Sequence, residues 1–161
     1  MTQHHPFAVN PREDWLASSS RLPGKAHDHW YRQGRPALLP TGVIFDAVRM
    51  PAVLVHAAVG SAEPDSVAGE LSKILKGPVI AETGWYYALV PPRTTETWRS
   101  PLAVVRGRGA WLTVPRVDHT KPRHSGCHWS VPVEQVGKLC DPAGAAELLQ
   151  VGRERLEDSE R

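Results

Sequence analysis

The chain is poor in cysteine. Cys127 and Cys140 are its only two, too few for a disulfide framework and without the Cys-x-x-Cys spacing of zinc or redox motifs. No apolar run approaches the roughly 20 residues needed to span a bilayer, so no membrane partner is expected. The start, Met1-Thr2-Gln3-His4-His5-Pro6, lacks a cationic stretch leading into an apolar one; no secretion signal is expected, and the expected compartment is the cytoplasm. Charge of one sign is scarce too. Nineteen Lys+Arg against 17 Asp+Glu leave +2, too little to indicate nucleic-acid binding by itself.

What is present describes one globular domain. At 161 residues, with 41% hydrophobic and 22% charged residues, the chain can bury a sizeable core. Arginine outnumbers lysine, and Ala, Val, Gly and Pro are plentiful. Residues 1–40 are expected to form an irregular arm, because Pro6, Pro11, Pro23, Pro36 and Pro40, with Gly24 and Gly34, interrupt long helices. One short helical turn at Asp14–Ala17 is allowed. Trp15, Trp30 and Tyr31 are expected to anchor the arm.

Residues 41–157 are expected to form a single α+β domain, followed by a tail at 158–161. Val43–Met50 reads as a mostly buried strand. Pro51 suits the first position of a helix continuing to Val59. Asp65 or Ser66 is expected to cap a second helix through Leu75, with Gly77 as its stop. Pro78–Ala81 and Trp85–Val90 read as strands around a Thr83-Gly84 turn, and Thr94–Trp98 as a short helix. Leu102–Val105 and Ala110–Val114 read as a second hairpin, and Cys127–Val131 as a last strand. Asp141 is expected to cap a C-terminal helix with Pro142 at its first position. The simplest packing is a largely antiparallel or mixed sheet with helices on one face.

Chemistry-bearing residues concentrate between Asp118 and His128. His119, His124, Cys127, His128 and Cys140 are metal-ligand types, but their spacing matches no zinc signature, and Lys121 and Arg123 would oppose a divalent cation. Surface-loop histidines are the preferred reading, and no metal or cofactor is expected. Cys127 and His128 are adjacent on a strand and point to opposite faces, so they make no catalytic pair. The Arg106-Gly107-Arg108-Gly109 turn lacks the spacing of a phosphate-binding loop. Read as a hairpin turn, it needs its glycines for positive φ. Read as function, Arg106 and Arg108, with Arg116, Lys121 and Arg123, are candidate contacts to a phosphate backbone. Asp46, within an apolar strand, must be paired, line a cleft or occupy the solvent face.

Several segments, in order, resemble a known family. Gly109-Ala110-Trp111-Leu112-Thr113-Val114-Pro115, a loop with His119, then Ser125-Gly126-Cys127-His128-Trp129 resemble the closing motif of the N-terminal domain of bifunctional DNA primase/polymerases, in the archaeo-eukaryotic primase superfamily. Val43–Val48 resembles the strand bearing that family's metal-binding aspartates. Glu82–Pro91 resembles the turn and strand that carry its nucleotide-binding histidine, and Val104–Gly107 the segment bearing its third acid. Leu39–Val48 is most similar to small actinobacterial members. The resemblance implies a primase/polymerase-like fold but an incomplete acid set: Asp46 is present, Val48 stands two residues on, and Val104 or Ala103 holds the third position. Trp85 or Tyr86 stands where the histidine would be. Two or more divalent ions need several carboxylates, so no catalytic residue is expected. Asp46 and Tyr86 are the remnant site, and Arg106, Arg108, Arg116, His119, Lys121 and Arg123 the expected nucleic-acid or nucleotide contacts. A noncatalytic accessory or regulatory domain binding DNA or a nucleotide is the first reading. A protein-interaction module that keeps only the fold, with tryptophans as anchors for a protein partner, is the second. An active nucleotidyltransferase is the third.

Overall fold

The computed structural model describes residues 10–123 and 126–161. Its helices are α1 (Pro11–Ala17), α2 (Pro23–Tyr31), α3 (Ala52–Val59), α4 (Pro64–Leu75) and α5 (Pro142–Ser159). Its strands are β1 (Ala37–Pro40), β2 (Asp46–Pro51), β3 (Val79–Glu82), β4 (Trp85–Val90), β5 (Val104–Arg106), β6 (Trp111–Val114) and β7 (His128–Val131), with a 3-10 turn at Thr94–Glu96. The architecture is α+β, and every strand pair is antiparallel.

Five strands form the main sheet in the order β5-β2-β4-β3-β7, and β1 pairs with β6 as a separate two-stranded sheet. Register sorts the side chains by face. Val48, Met50, Val79, Ala88 and Val90 pack with Val55, Leu71 and Leu149 of α3, α4 and α5, the helix face. Ala47, Ile80, Tyr87, Leu89 and Trp129 pack with Leu16, Trp30, Leu39 and Leu112 on the opposite, arm face. Helices therefore cover both faces of the sheet, not one. A sheet buried on both sides needs continuous apolar strands, and β4 (Trp85-Tyr86-Tyr87-Ala88-Leu89-Val90) supplies one.

The N-terminal arm is more regular than expected. Pro11 and Pro23 open helices rather than break them, because a proline in the first turn loses no hydrogen bond and its φ is already helical. The Asn10 side chain accepts from the Arg12 N–H as the cap of α1. Trp30 is 1% exposed, and its Nε1 donates to the Val114 carbonyl at 2.9 Å. Trp15 packs against the same core, while Tyr31 lies at the surface.

Other boundaries shift for local reasons. Residues 43–45 precede β2 rather than begin it, although Phe45 is fully buried. Pro51 ends β2 and caps α3. Glu63, not Asp65 or Ser66, caps α4 by accepting from both of their N–H groups, which holds its carboxyl below the usual range. Lys76, at φ 61°, ends that helix before Gly77 is reached. The Asp141 cap and Pro142 stand as expected, but α5 runs to Ser159, into the expected tail. The 102–114 hairpin does not form: β5 joins β2 and β6 joins β1. The turn at Gly107–Gly109 carries the chain from one sheet to the other.

Candidate functional site

Strand parity decides what each candidate residue can reach. Asp46 is on the parity of Val48 and Met50 but at the first position of β2, paired with Val90, where residues 91–95 cover it. It is 1% exposed, which removes the solvent-face alternative. Its Oδ2 accepts from the Thr95 N–H at 3.3 Å, while Oδ1 has no hydrogen-bond partner. Burial pushes the carboxyl above its ordinary range, and the N–H groups of Thr95, Arg93 and Thr94 pull it partly back. Gly107 must be bare beside it, because a Cβ there would overlap Thr95 Cγ2. Asp46 lines a cleft of about 450 Å³ with Gly42, Arg93, Glu96 and Arg108. Arg93 is held by Glu96 at 3.2 Å.

The other positions of the expected acid set do not join Asp46 in an open site. Val48 is fully buried in the helix-face core. Val104 pairs with Arg49, which puts it on the arm face, and is 67% exposed; Ala103 packs on the helix side. Tyr86 also faces the helices, hydrogen-bonded to His56 Nε2 at 2.9 Å. Burial raises its hydroxyl and lowers His56. Tyr86 pairs with Met50, four positions along β2 from Asp46, a distance of about 13 Å at strand rise. The two residues expected to form a remnant site thus stand apart, toward opposite ends of one ladder.

The basic candidates divide into two groups. Arg116 makes a two-pronged ion pair with Asp118 at 2.5 and 2.8 Å and lies over the Tyr31 ring at 5.0 Å. Its charge is answered internally. Burial, then the nearby Arg123 and Arg116, hold His119 below its ordinary range, so it adds no positive charge at neutral pH. Arg123 Nη1 is 2.5 Å from His119 Nδ1, and Lys121 is exposed in the same shallow concavity. His124 lies outside the described residues. Cys127 belongs to the arm-face core and Cys140 to the helix-face core; the sheet separates them, so they cannot share a metal. Burial drives both thiols up to about 12, which leaves no thiolate for nucleophilic attack. No cluster of three His, Cys, Asp or Glu suited to a metal ion occurs among the described residues.

The second group is beside the β5 edge, with Arg106 on the arm face and Arg108 at the cleft that Asp46 lines. Arg106 pairs with Ala47 and lies 5.2 Å over the Tyr87 ring, its Nη1 donating to the Trp111 carbonyl at 3.1 Å. Beside it, Arg49 lies 3.5 Å over the Trp85 ring, and its Nε is buried without a partner. No carboxylate lies within ion-pair distance of Arg49, Arg106 or the exposed Arg108 among the described residues. Sequence reasoning missed Arg49 and Trp85 as a pair. The available signal was a cation at the parity of Ala47 in an apolar strand, but its aromatic partner lies on another strand.

No helix among the described residues is long and apolar enough to cross a membrane. Comparison with protein-family models, with curated proteins and with solved structures finds no match.

Proposed function

We propose that the chain is a noncatalytic, primase/polymerase-like domain with an accessory role, and that it binds nucleic acid or nucleotide through Arg49, Arg106 and Arg108. The observation that carries this reading is the pair of arginine–aromatic stacks on neighbouring strands, Arg49 on Trp85 and Arg106 on Tyr87, with no carboxylate in reach. A guanidinium stacked on a ring is held flat. Guanidinium N–H groups not already engaged, as Arg106 Nη1 is by the Trp111 carbonyl, can donate to phosphate oxygens, and the face turned from the ring is a platform on which an unstacked base can lie. Asp46 alone, with Val48 and Val104 in the companion positions, gives no basis for a two-metal phosphoryl-transfer site.

Fluorescence anisotropy with labelled single-stranded and duplex DNA, at several salt concentrations, tests the reading. Three phosphate contacts predict single-strand affinity that falls with salt at a log–log slope of about −2. The Arg49→Ala/Arg106→Ala double variant is expected to lose about tenfold or more in affinity and most of that slope. Lys121→Ala/Arg123→Ala is expected to change affinity by about threefold or less. Absence of saturable binding at low salt, or indifference to the Arg49/Arg106 change, would sink the proposal.

A further inference from the structure

The two-stranded sheet of β1 and β6 has an unusual outer face. Ala37, Leu39, Leu112 and Val114 point inward to the arm-face core. On a half-solvated sheet the alternate residues are ordinarily polar. Here they are Leu38, Pro40, Trp111 and Thr113, with Leu38 opposite Thr113 and Pro40 opposite Trp111. Leu38 is 56% exposed and Trp111 53%. Val43 and Leu22 extend the apolar surface at 55% and 64% exposure. Together with the α1–α2 connection these residues bound a groove of about 740 Å³. Of the six tryptophans, only Trp111 is exposed; the other five are buried or half-buried.

The ionisable side chains lining the groove are Arg21, Lys25 and His29, with no carboxylate among them. Neither Arg21 nor Lys25 has a carboxylate within ion-pair distance among the described residues. We propose that this groove docks an amphipathic segment of a partner protein that presents bulky apolar side chains flanked by carboxylates. The apolar lips choose the class of occupant. Leu22, Leu38, Val43 and Trp111 all line the groove, and a polypeptide segment lying along it removes all four from water. An exposed tryptophan beside apolar neighbours, with a cationic rim, is the arrangement that concentrates binding energy in protein interfaces. A second copy fits less well. The acidic residues of α5 alternate with Arg153 and Arg155, and Arg153 already pairs with Glu157. None of Arg49, Arg106 and Arg108 lines this groove, and its one link to them is the backbone carbonyl of Trp111, which accepts from Arg106 and is kept in any side-chain variant.

The test uses the full chain and two fluorescein-labelled helical peptides of about 15 residues. Both carry the same Leu/Phe stripe; one is flanked by Glu, the other by Lys. The Glu peptide is expected to bind in the micromolar range, and the Lys peptide about tenfold more weakly or worse. Trp111→Ser, with its thermal melt measured alongside, is expected to cost the Glu peptide about tenfold or more. Arg21→Glu/Lys25→Glu is expected to reverse the preference between the peptides. The proposal is overturned if neither peptide binds, if both bind alike, or if Trp111→Ser makes no difference. Dodecanoate saturating the groove at lower concentrations than the peptide assigns the site to a small amphiphile and overturns it. So does a concentration-dependent dimer that Trp111→Ser abolishes.

Discussion

Asp46 is the described carboxylate whose surroundings satisfy it least, and that makes its charge measurable. A carboxyl raised on folding binds more protons in the folded chain than in the unfolded one, between the unfolded and folded values. Stability therefore falls as pH rises through that window, which opens at about 4, and stays lower above it. Asp46→Asn keeps an acceptor for the Thr95 N–H and carries no charge. Guanidinium midpoints measured from pH 4 to pH 8 are expected to diverge in favour of the variant as pH rises, from near equality at the acid end. A gap independent of pH would mean that Asp46 is not desolvated. The sequence already marked Asp46 as a residue in need of explanation, since a carboxylate interrupts an apolar strand. It could not choose between cleft and solvent face, because the cover comes from Arg93–Thr95, which reaches back over β2 from the end of β4. The Arg49–Trp85 contact is not legible in the sequence for a related reason: a cation–ring contact needs the register between two strands.

At the scale of elements, two helix glycines make opposite predictions. A Cβ on Gly152 of α5 would overlap the Leu54 carbonyl of α3, whereas one on Gly69 of α4 would meet nothing within 4 Å. Gly152→Ala is expected to cost about 1–2 kcal/mol, as backbone crowding outweighs the gain in helix propensity. Gly69→Ala, on an exposed position, is expected to gain up to about 1 kcal/mol. Thermal or denaturant unfolding reads both, and equal effects would mean that α3 and α5 are not in backbone contact. Elements whose cause is local were legible from sequence. The Gly84 turn between β3 and β4 needs φ of 83°, and the Asp141 cap is a side chain bonding two residues on. In the arm Pro11 and Pro23 start helices, which the sequence does not reveal, because a lone proline marks a boundary without saying on which side the helix lies. The β5–β6 hairpin failed because a tight turn fixes only where the chain bends. Which sheet each strand then joins is settled by distant partners, Ala47–Arg49 for β5 and Ala37–Pro40 for β6.

At the scale of the whole molecule, the sheet divides two cores, and each holds one buried thiol: Cys127 on the arm face and Cys140 on the helix face. If the strands between them make the molecule one cooperative unit, both thiols become reactive in a single transition. Alkylation with a thiol reagent across a denaturant series, followed by peptide mass analysis, is expected to show coincident midpoints. Earlier labelling of Cys127 would show that the arm peels away first. The long reach of the arm's contacts also sets an order in time. Trp30 bonds a carbonyl 84 residues further along the chain, and among the described residues β1 has only β6 as its partner. During synthesis at about 5–20 residues per second, α1, α2 and β1 leave the ribosome several seconds before the strand that receives them. For that interval Leu16, Trp30 and Leu39 have no core to enter, and the nascent arm is a natural client for a chaperone.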